Sequence, residues 1–435
     1  MQISDKIRAL AAEAEIALAP IFRSIDEISE KNTEHVLDCF RECRVSESLF
    51  TPSTGYGYGD MGRDTIDRLA ALIYRAPGGF MRPQLISGTH ALTVGLFGIL
   101  RPGDVLLSVT GKPYDTMLEV IGLSGTPGAG SLMDFGVSFD SCGFAEVNGQ
   151  KVLDFAAIRA KMEQYGSRVK MVYIQRSKGY EQRPTLTVSE VRKAAYFVKK
   201  TAAELGIPEP VFFCDNCYGE FTEESEPCYV PAGAVEEAAA DLIVGSLIKN
   251  PGGGMADVGG YIIGTEKCVE LCGNRLTSPG VGLDAGASLG QNRNIIKGMF
   301  YAPHTVAQAM KTSHLAAYIF DSLGFKVAPR WDERRSDIIQ TIECGTGEGL
   351  CAFCRGIQSA SPIDAHVTPE PWDMPGYADP VIMAAGAFTG GASIELSADG
   401  PMRPPYIAFL QGGLPYESGK LGILCAAEQV SALIK

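Results

Sequence analysis

The feature that most constrains the fold is an alternation of short apolar runs with helical stretches along the middle of the chain. The apolar runs are continuous and do not alternate with polar residues, which is typical of strands buried on both faces. We predict strands at Val105–Val109, Val169–Gln175, Pro210–Cys214 and Leu242–Ile248, with helices at Val188–Leu205 and Ala234–Ala240. This order predicts an α/β protein, with a mostly parallel sheet between layers of helices.

Helical periodicity also dominates the flanking regions. Roughly the first 45 residues have apolar positions three and four apart, with Pro20 expected to split them into two helices. Helices are also predicted at Ile66–Tyr74, Ala91–Leu100, Thr305–Leu323 and Lys420–Lys435, and further strands at Asp337–Glu343, Val381–Ala384, Ser393–Leu396 and Tyr406–Leu410. We therefore expect an N-terminal helical arm (1–60), a large domain (61–300) and a smaller C-terminal α+β domain (301–435).

Charge and composition argue against several classes of partner. The 435 residues include 38 basic and 51 acidic side chains, a formal net charge of −13 that repels nucleic acid and anionic lipid. Neither a membrane span nor the apolar core of a signal peptide is visible, so we expect a cytoplasmic protein. Two CxxC pairs, Cys214/Cys217 and Cys351/Cys354, lie far apart in the sequence. With no other metal-binding pattern, we expect reduced cysteines and no metal site.

Two of the predicted strands deliver a reactive side chain at their end. Lys249 follows an apolar strand and precedes the turn Gly252-Gly253-Gly254, where desolvation would lower the pKa of its amine and make it a nucleophile. The alternative is an ordinary solvated lysine. Asp215 ends another apolar strand, at the edge of the sheet where ligands bind, and could hold a cationic ring nitrogen. It could equally cap a helix or form an Asx-turn.

Two further segments resemble parts of a binding site. Ser87, Gly88 and Thr89 open a helix, whose free N–H groups and dipole can bind a phosphate, although a plain helix cap would look the same. Tyr114 follows a strand and the turn Gly111-Lys112-Pro113, so its ring could cover an aromatic ligand and its hydroxyl could act as an acid. A half-buried turn tyrosine is the alternative.

Together the four segments supply what pyridoxal 5′-phosphate (PLP) requires from a protein: a phosphate site, an aromatic platform, an anion for the ring nitrogen and an amine. From Leu49 to the C-terminus the chain resembles the fold-type I PLP-dependent enzymes, specifically their cystathionine and methionine γ-lyase-like branch. Within that branch it is most similar to the methionine γ-lyase family, whose members are also labelled aluminium resistance proteins. The resemblance rests on the motifs Ser87-Gly88-Thr89-His90-Ala91, Tyr114-Asp115-Thr116, Asp215-Asn216 and Ser246-Leu247-Ile248-Lys249.

This resemblance implies a large domain with a mostly parallel sheet of the seven-stranded type, and it implies roles for individual residues. Lys249 would bind PLP covalently, Asp215 would keep the ring nitrogen protonated, and Tyr114 would stack on the ring and protonate a leaving thiolate. The phosphate would be bound by Ser87, Gly88, Thr89 and Ser246. A neighbouring subunit would add a tyrosine and an arginine, which implies a homodimer or homotetramer with shared active sites; the candidates are Tyr56 or Tyr58, and Arg63.

The implied function is a carbon–sulfur lyase that performs γ- or β-elimination on an amino acid such as methionine, cystathionine or cysteine. Arg403 and Arg176 are the candidates for binding the substrate carboxylate, because a guanidinium matches its geometry. Arg403 could equally be a surface turn residue, and Arg176 could instead pack near the cofactor ring. Two alternatives remain: a different PLP-dependent reaction, such as transamination or racemisation, and a non-catalytic PLP-binding protein linked to metal tolerance.

Overall fold

The computed structural model describes residues 3–374 and 377–433, which form ten α-helices and fourteen strands. The helices are α1 Asp5–Glu42, α2 Met61–Ile73, α3 Gly88–Ile99, α4 Asp115–Ile121, α5 Phe155–Tyr165, α6 Val188–Leu205, α7 Glu266–Leu276, α8 Asn292–Ser322, α9 Gly347–Ser359 and α10 Tyr416–Ser431. The strands are β1 Gly78–Arg82, β2 Val105–Ser108, β3 Ser138–Ser141, β4 Phe144–Val147, β5 Gln150–Leu153, β6 Val169–Gln175, β7 Val211–Asp215, β8 Leu242–Ser246, β9 Gly260–Gly264, β10 Lys326–Ala328, β11 Gln340–Glu343, β12 Val381–Ala384, β13 Leu396–Pro401 and β14 Ile407–Gly412.

A seven-stranded sheet forms the centre of the larger unit. Its order is β1-β9-β8-β7-β6-β2-β3, and the strands from β8 to β3 run parallel. The expected α/β class with a mostly parallel sheet is therefore confirmed. The two strands at the other edge, β1 and β9, are antiparallel to their neighbours. Because the parallel strands point the same way, the ends of β6, β7 and β8 meet at one edge of the sheet.

A second, antiparallel sheet of five strands forms the smaller unit, in the order β10-β11-β14-β13-β12. Helices α9 and α10 pack together, and their apolar residues form one hydrophobic cluster with the buried face of this sheet. Strands β13 and β14 bring their side chains towards the carboxyl edge of the central sheet, where residues from both units border one cavity.

Helices α1 and α8 belong to both units. Ile7, Ala11, Ala14 and Leu18 of α1 lie in the cluster of the smaller unit, whereas Ile25, Val36 and Cys39 lie in that of the larger one. The expectation that Pro20 splits this stretch is wrong, because Pro20 lies inside a continuous helix. An interior proline costs about 3 kcal/mol. Burying several aliphatic side chains, each stabilising by about 1.5–3 kcal/mol, outweighs that cost.

Other predictions also need correction. The segment 234–240 is not a helix, because its N–H groups donate elsewhere: that of Ala238 to the carbonyl of Arg192, and that of Ala240 to the carbonyl of Pro227. The strand expected at Ser393–Leu396 begins only at Leu396. The final helix begins earlier than predicted, and its predicted end, Lys435, lies outside the described residues. Among the described helices, none has the length and apolar character that crossing a membrane requires.

Candidate active site

A cavity of about 330 Å³ opens at the carboxyl edge of the central sheet. Gln175, Asp215 and Ser246, the last residues of β6, β7 and β8, form part of its wall, and the smaller unit supplies the opposite wall through β13 and β14. In open α/β sheets this edge is where ligands bind. The fold thus brings together residues that are as much as 324 positions apart in the sequence, from Ser87 to Gln411.

The first turn of α3 faces the cavity through Gly88 and Thr89. Ser87 caps this helix by accepting a hydrogen bond of 3.0 Å from the N–H of His90. The N–H groups of a first helical turn have no partners within the helix, and they attract anions. A Cβ atom added at Gly88 would lie 3.2 Å from the Cβ of Ser246, so glycine keeps this space open. The arrangement fits a phosphate group.

Asp215 lies at the end of β7 and is buried. The backbone N–H of Cys217 and the hydroxyl of Tyr173 each donate a hydrogen bond of 3.2 Å to its carboxyl group, and both donors are neutral. Burial raises the pKa of Asp215 to about 6, although these hydrogen bonds partly oppose the rise. A cation placed against this carboxylate would relieve the cost of burying its charge. The site therefore fits a protonated ring nitrogen.

Lys249 follows β8 and reaches across the cavity towards the smaller unit. Its Nζ donates hydrogen bonds to the Ser393 hydroxyl and, at 3.1 Å, to the Gly391 carbonyl, and it lies 5.0 Å from the centre of the Tyr218 ring. The expectation of a lowered pKa is wrong. Removal from bulk water lowers the pKa of Lys249, but the neighbouring Tyr218, Cys217 and Asp399 raise it by more.

Tyr114 precedes α4 and lines the same cavity. Its hydroxyl lies 3.0 Å from Oγ1 of Thr89, and its backbone N–H donates to the side-chain oxygen of Gln175 at 3.0 Å. Burial raises the pKa of Tyr114 above its ordinary value, so the phenol keeps its proton and can donate it. The structure therefore brings Tyr114 together with six other predicted site residues: Ser87, Gly88, Thr89, Asp215, Ser246 and Lys249.

The three residues expected to reach a neighbouring subunit lie outside this cavity. Tyr56 and Tyr58 are 75% and 64% exposed, and their rings stack at a centroid distance of 5.4 Å. Arg63 is buried instead, where it donates to the Gly57 carbonyl at 2.7 Å and forms an ion pair of 2.8 Å with Asp64. The side chain of Arg63 thus supports the turn that presents the two exposed tyrosines.

Neither arginine predicted to bind the substrate carboxylate lines the cavity. Arg176 is completely buried and donates to Glu223 at 2.8 Å and to the Gly219 carbonyl at 2.8 Å. Arg403 forms an ion pair of 2.9 Å with Asp379, and both side chains are partly exposed. Each guanidinium is paired with a carboxylate of the protein itself. The sequence-based prediction requires instead a guanidinium that faces the cavity and can bind the substrate carboxylate.

The smaller unit contributes cavity residues that the sequence did not single out, foremost Asp399 on β13. The hydroxyl of Tyr180 donates to its carboxyl group at 2.8 Å, and the side-chain amide of Gln411 lies 3.5 Å away. Burial raises the pKa of Asp399 to about 6. Sequence reasoning had no local signal for this group, because three distant segments assemble it.

Cysteines do not form a metal site in the part of the chain that the structure describes. All twelve are free, and no group of three or more potential ligands lies together among the described residues. Cys214 points into the hydrophobic core, whereas Cys217 borders the cavity beside Asp215. The second pair, Cys351 and Cys354, lies on α9 in the cluster of the smaller unit.

Comparison with known proteins finds a matching family model and similar proteins over nearly the whole chain. The family model described as methionine gamma-lyase matches residues 7–431. The Bacillus subtilis (strain 168) protein YnbB is 48% identical over 426 residues, which cover 98% of this chain and 97% of YnbB. A Listeria monocytogenes structure, named as a candidate cystathionine beta-lyase involved in aluminum resistance, has 46% identity and a TM-score of 0.90, with 97% of this chain and 100% of that chain covered.

Two further solved structures extend the comparison. A Clostridium novyi structure, named as a carbon-sulfur lyase involved in aluminum resistance, has 43% identity and a TM-score of 0.89, covering 98% of this chain and 96% of that chain. The methionine gamma lyase CalE6 of Micromonospora echinospora has only 15% identity and a TM-score of 0.54, covering 88% of this chain and 91% of that chain. At that identity the likeness shows the fold alone, which is that of the fold-type I PLP-dependent enzymes.

Proposed function

The chain belongs to the methionine gamma-lyase family, and on that premise we propose that it is a PLP-dependent carbon–sulfur lyase acting on a sulfur-containing amino acid by γ- or β-elimination. The observation that carries the proposal is one cavity that contains the amine of Lys249, the buried carboxyl group of Asp215 and the first turn of α3. The names of the related Listeria and Clostridium proteins support the same class of reaction.

The residues present fit PLP on three counts. The space at Gly88 and the first turn of α3 fit the phosphate, together with Ser87, Thr89 and Ser246. Asp215 is buried with only neutral donors and fits the ring nitrogen. Lys249 would hold the cofactor covalently, and the ring of Tyr114 would cover it. When bound, PLP supplies an electron sink for the Cα of an amino acid.

The chain's own groups then move the protons. In its neutral form, the amine of Lys249 accepts the proton from Cα of the substrate. The hydroxyl of Tyr114, oriented by its contact with Thr89, donates a proton to the sulfur atom that leaves. Asp215 is ionised at neutral pH when a cation lies against it, because the attraction returns its pKa towards the ordinary range. Residues of the smaller unit, such as Met383 and Phe409, line the cavity and present apolar surface to it.

We propose further that a second copy of the chain completes the site. The stacked and exposed rings of Tyr56 and Tyr58 lie on a turn outside the cavity of their own chain, which leaves them available to a neighbour. Mixing a Lys249→Ala chain with a Tyr56→Ala, Tyr58→Ala chain tests this arrangement. A shared site predicts recovered activity in the mixture, whereas sites built from single chains predict none.

The experiment for the function combines spectra and product analysis. Purified protein with PLP is expected to absorb in the violet region, and borohydride is expected to trap the cofactor on the peptide that contains Lys249. Lys249→Ala should lose both the trapped peptide and turnover by orders of magnitude. A lyase releases a thiol with the keto acid, in equal amounts. Keto acid without thiol would instead indicate transamination, and unchanged turnover in Lys249→Ala would refute the assignment.

A further inference from the structure

The charges in the cavity are unusual for a site that binds amino acids. Among the described residues that line it, only four are charged: Asp115, Asp215, Lys249 and Asp399. No lining residue in the described ranges is an arginine. Asp215 and Lys249 have roles in holding the cofactor. Asp115 is only half-buried and lies in the field of Arg403. The carboxyl group of Asp399 is therefore the charged group of the cavity that is left to pair with a cationic group of the substrate.

Asp399 is held in a fixed position. It is 8% exposed, accepts from the Tyr180 hydroxyl at 2.8 Å, and has the amide of Gln411 at 3.5 Å. Both contacts are neutral. Lys249 lies near enough to lower the pKa of Asp399, but it forms no ion pair with it among the described residues, and the proposed function assigns the Lys249 amine to the cofactor. With Lys249 engaged there, a buried carboxylate is costly unless a ligand supplies a positive charge. The wall that bears Asp399 thus favours a positively charged group.

Three aromatic residues lie beside the same carboxyl group: Tyr180 donates to it, Phe409 is paired with Asp399 across β13 and β14, and Asp399 raises the pKa of Tyr377. The ring centre of Tyr180 lies 4.8 Å from that of Phe409 and 5.8 Å from that of Tyr377, and all three residues line the cavity. Ring faces attract ammonium groups, and the attraction grows where water is excluded. A carboxylate framed by three aromatic side chains is an arrangement that selects cations over anions and over neutral alkyl groups.

We propose that Asp399, together with Tyr180, Tyr377 and Phe409, binds an ammonium group at the far end of the substrate's thioether side chain. This assignment rests on the proposed lyase function and narrows its substrate class to amino acids whose leaving thiol carries a cation. The Cα–H and C–S bonds break, the sulfur leaves with the electron pair and gains a proton, and one water replaces the nitrogen. The products are an aminothiol, a keto acid and ammonium.

Matched substrates test the proposal. S-(2-aminoethyl)-L-cysteine and S-propyl-L-cysteine have side chains of equal length that differ in the terminal ammonium, and the corresponding homocysteine pair covers γ-elimination. Release of thiol and keto acid gives kcat/KM for each member. A charge-assisted contact predicts a preference of about ten- to a hundredfold for the ammonium member in the holoenzyme. Asp399→Asn should bring this ratio close to one.

The control is Asp115→Asn, which removes another carboxylate from the same cavity and is expected to keep the ratio. If Asp399→Asn fails to fold, Tyr180→Phe should lower the ratio, because it removes the donor that fixes the carboxylate. Absorbance titration of the PLP-loaded protein with the two cysteine derivatives compares their affinities as a second readout, in which the derivative with the terminal ammonium should bind more tightly.

The outcomes separate the two proposals. If wild-type enzyme cleaves neither pair, the lyase function itself fails, and the assignment of Asp399 fails with it. If it cleaves both members of a pair equally well, the lyase function stands and the assignment is overturned. Equal slowing of both members by Asp399→Asn, with the ratio unchanged, would show that this carboxylate serves only as a counter-ion for Lys249, which also overturns the proposal.

Discussion

Replacing Asp215 by asparagine should stabilise the cofactor-free protein above neutral pH while weakening its binding of PLP. Burial raises the pKa of Asp215 from its ordinary value of 3.8 to about 6. Since each pKa unit corresponds to about 1.36 kcal/mol, the buried charge costs about 3 kcal/mol of folding free energy above pH 6. Asparagine removes that charge. Its amide can face the Tyr173 hydroxyl, which accepts hydrogen bonds as well as donating them, so no buried group loses its partner.

The pH dependence has a definite sign. An acid whose pKa is higher in the folded than in the unfolded state binds more protons when folded, so folding becomes less favourable as it ionises. The penalty from Asp215 is absent below about pH 4, grows between about pH 4 and 6, and is constant above that range. Urea unfolding of both cofactor-free proteins should therefore show a gain for the variant at pH 8, of up to about 3 kcal/mol, that disappears at pH 4.

Asp399→Asn is the matched control, because burial raises the pKa of Asp399 to the same value of about 6. Both variants should gain stability at pH 8. Only Asp215→Asn should lose PLP affinity, by about ten- to a hundredfold, because the charge-assisted hydrogen bond to the ring nitrogen is lost. PLP titration followed by absorbance measures this difference. A variant no more stable than wild type at pH 8, or equal loss of affinity in both variants, would refute the reasoning.

Three other predictions follow from the packing and the site. Arg176→Met should lower the free energy of unfolding by about 3–5 kcal/mol, because it leaves the buried carboxylate of Glu226 without its cation, whereas Glu223 keeps Arg334. KM should not change, and a raised KM at unchanged stability would instead support a role of Arg176 in substrate binding. Gly252→Ala should lower the free energy of unfolding by more than about 3 kcal/mol, because the added Cβ would lie 1.7 Å from a backbone oxygen. The control is Gly143→Ala, where the added Cβ meets open space and the free energy of unfolding should not change in the same assay. Tyr114→Phe should lower kcat more for substrates whose leaving thiol has a high pKa than for substrates whose leaving thiol has a low pKa. Equal losses of kcat for both kinds of substrate would exclude Tyr114 as the proton donor.

Much of the central sheet could be predicted because its strands have strong local signals. The strand Val169–Gln175 and the helix Val188–Leu205 have the predicted bounds, and Thr187 with Glu190 forms a capping box that fixes the start of that helix. In contrast, β1 and β9 each begin with glycine, lack a long apolar run and depend on pairing with each other, so no local pattern predicts them.

The residues of the candidate site also fall into those with a local sequence signal and those without one. Residues that end a strand or open a helix, such as Asp215 and Gly88, could be found because sequence neighbours reveal their position. Tyr180, Tyr377 and Asp399 could not, because they come from three separate segments that only tertiary packing brings together. Arg176 illustrates the converse: it follows a strand end, but its hydrogen bonds to Glu223 and to the Gly219 carbonyl on another segment hold it away from the cavity.

Helices α1 and α8, which run through both hydrophobic clusters, have a consequence for how the chain melts. Each helix buries one part of its length in the larger unit and another part in the smaller unit. If either hydrophobic cluster unfolded, apolar side chains of α1 and α8 would become exposed to water. The loss of order in these two helices would then destabilise the other cluster as well. The units should therefore denature cooperatively, as a single calorimetric endotherm, and a solvent-facing substitution in α1 should leave that one peak undivided.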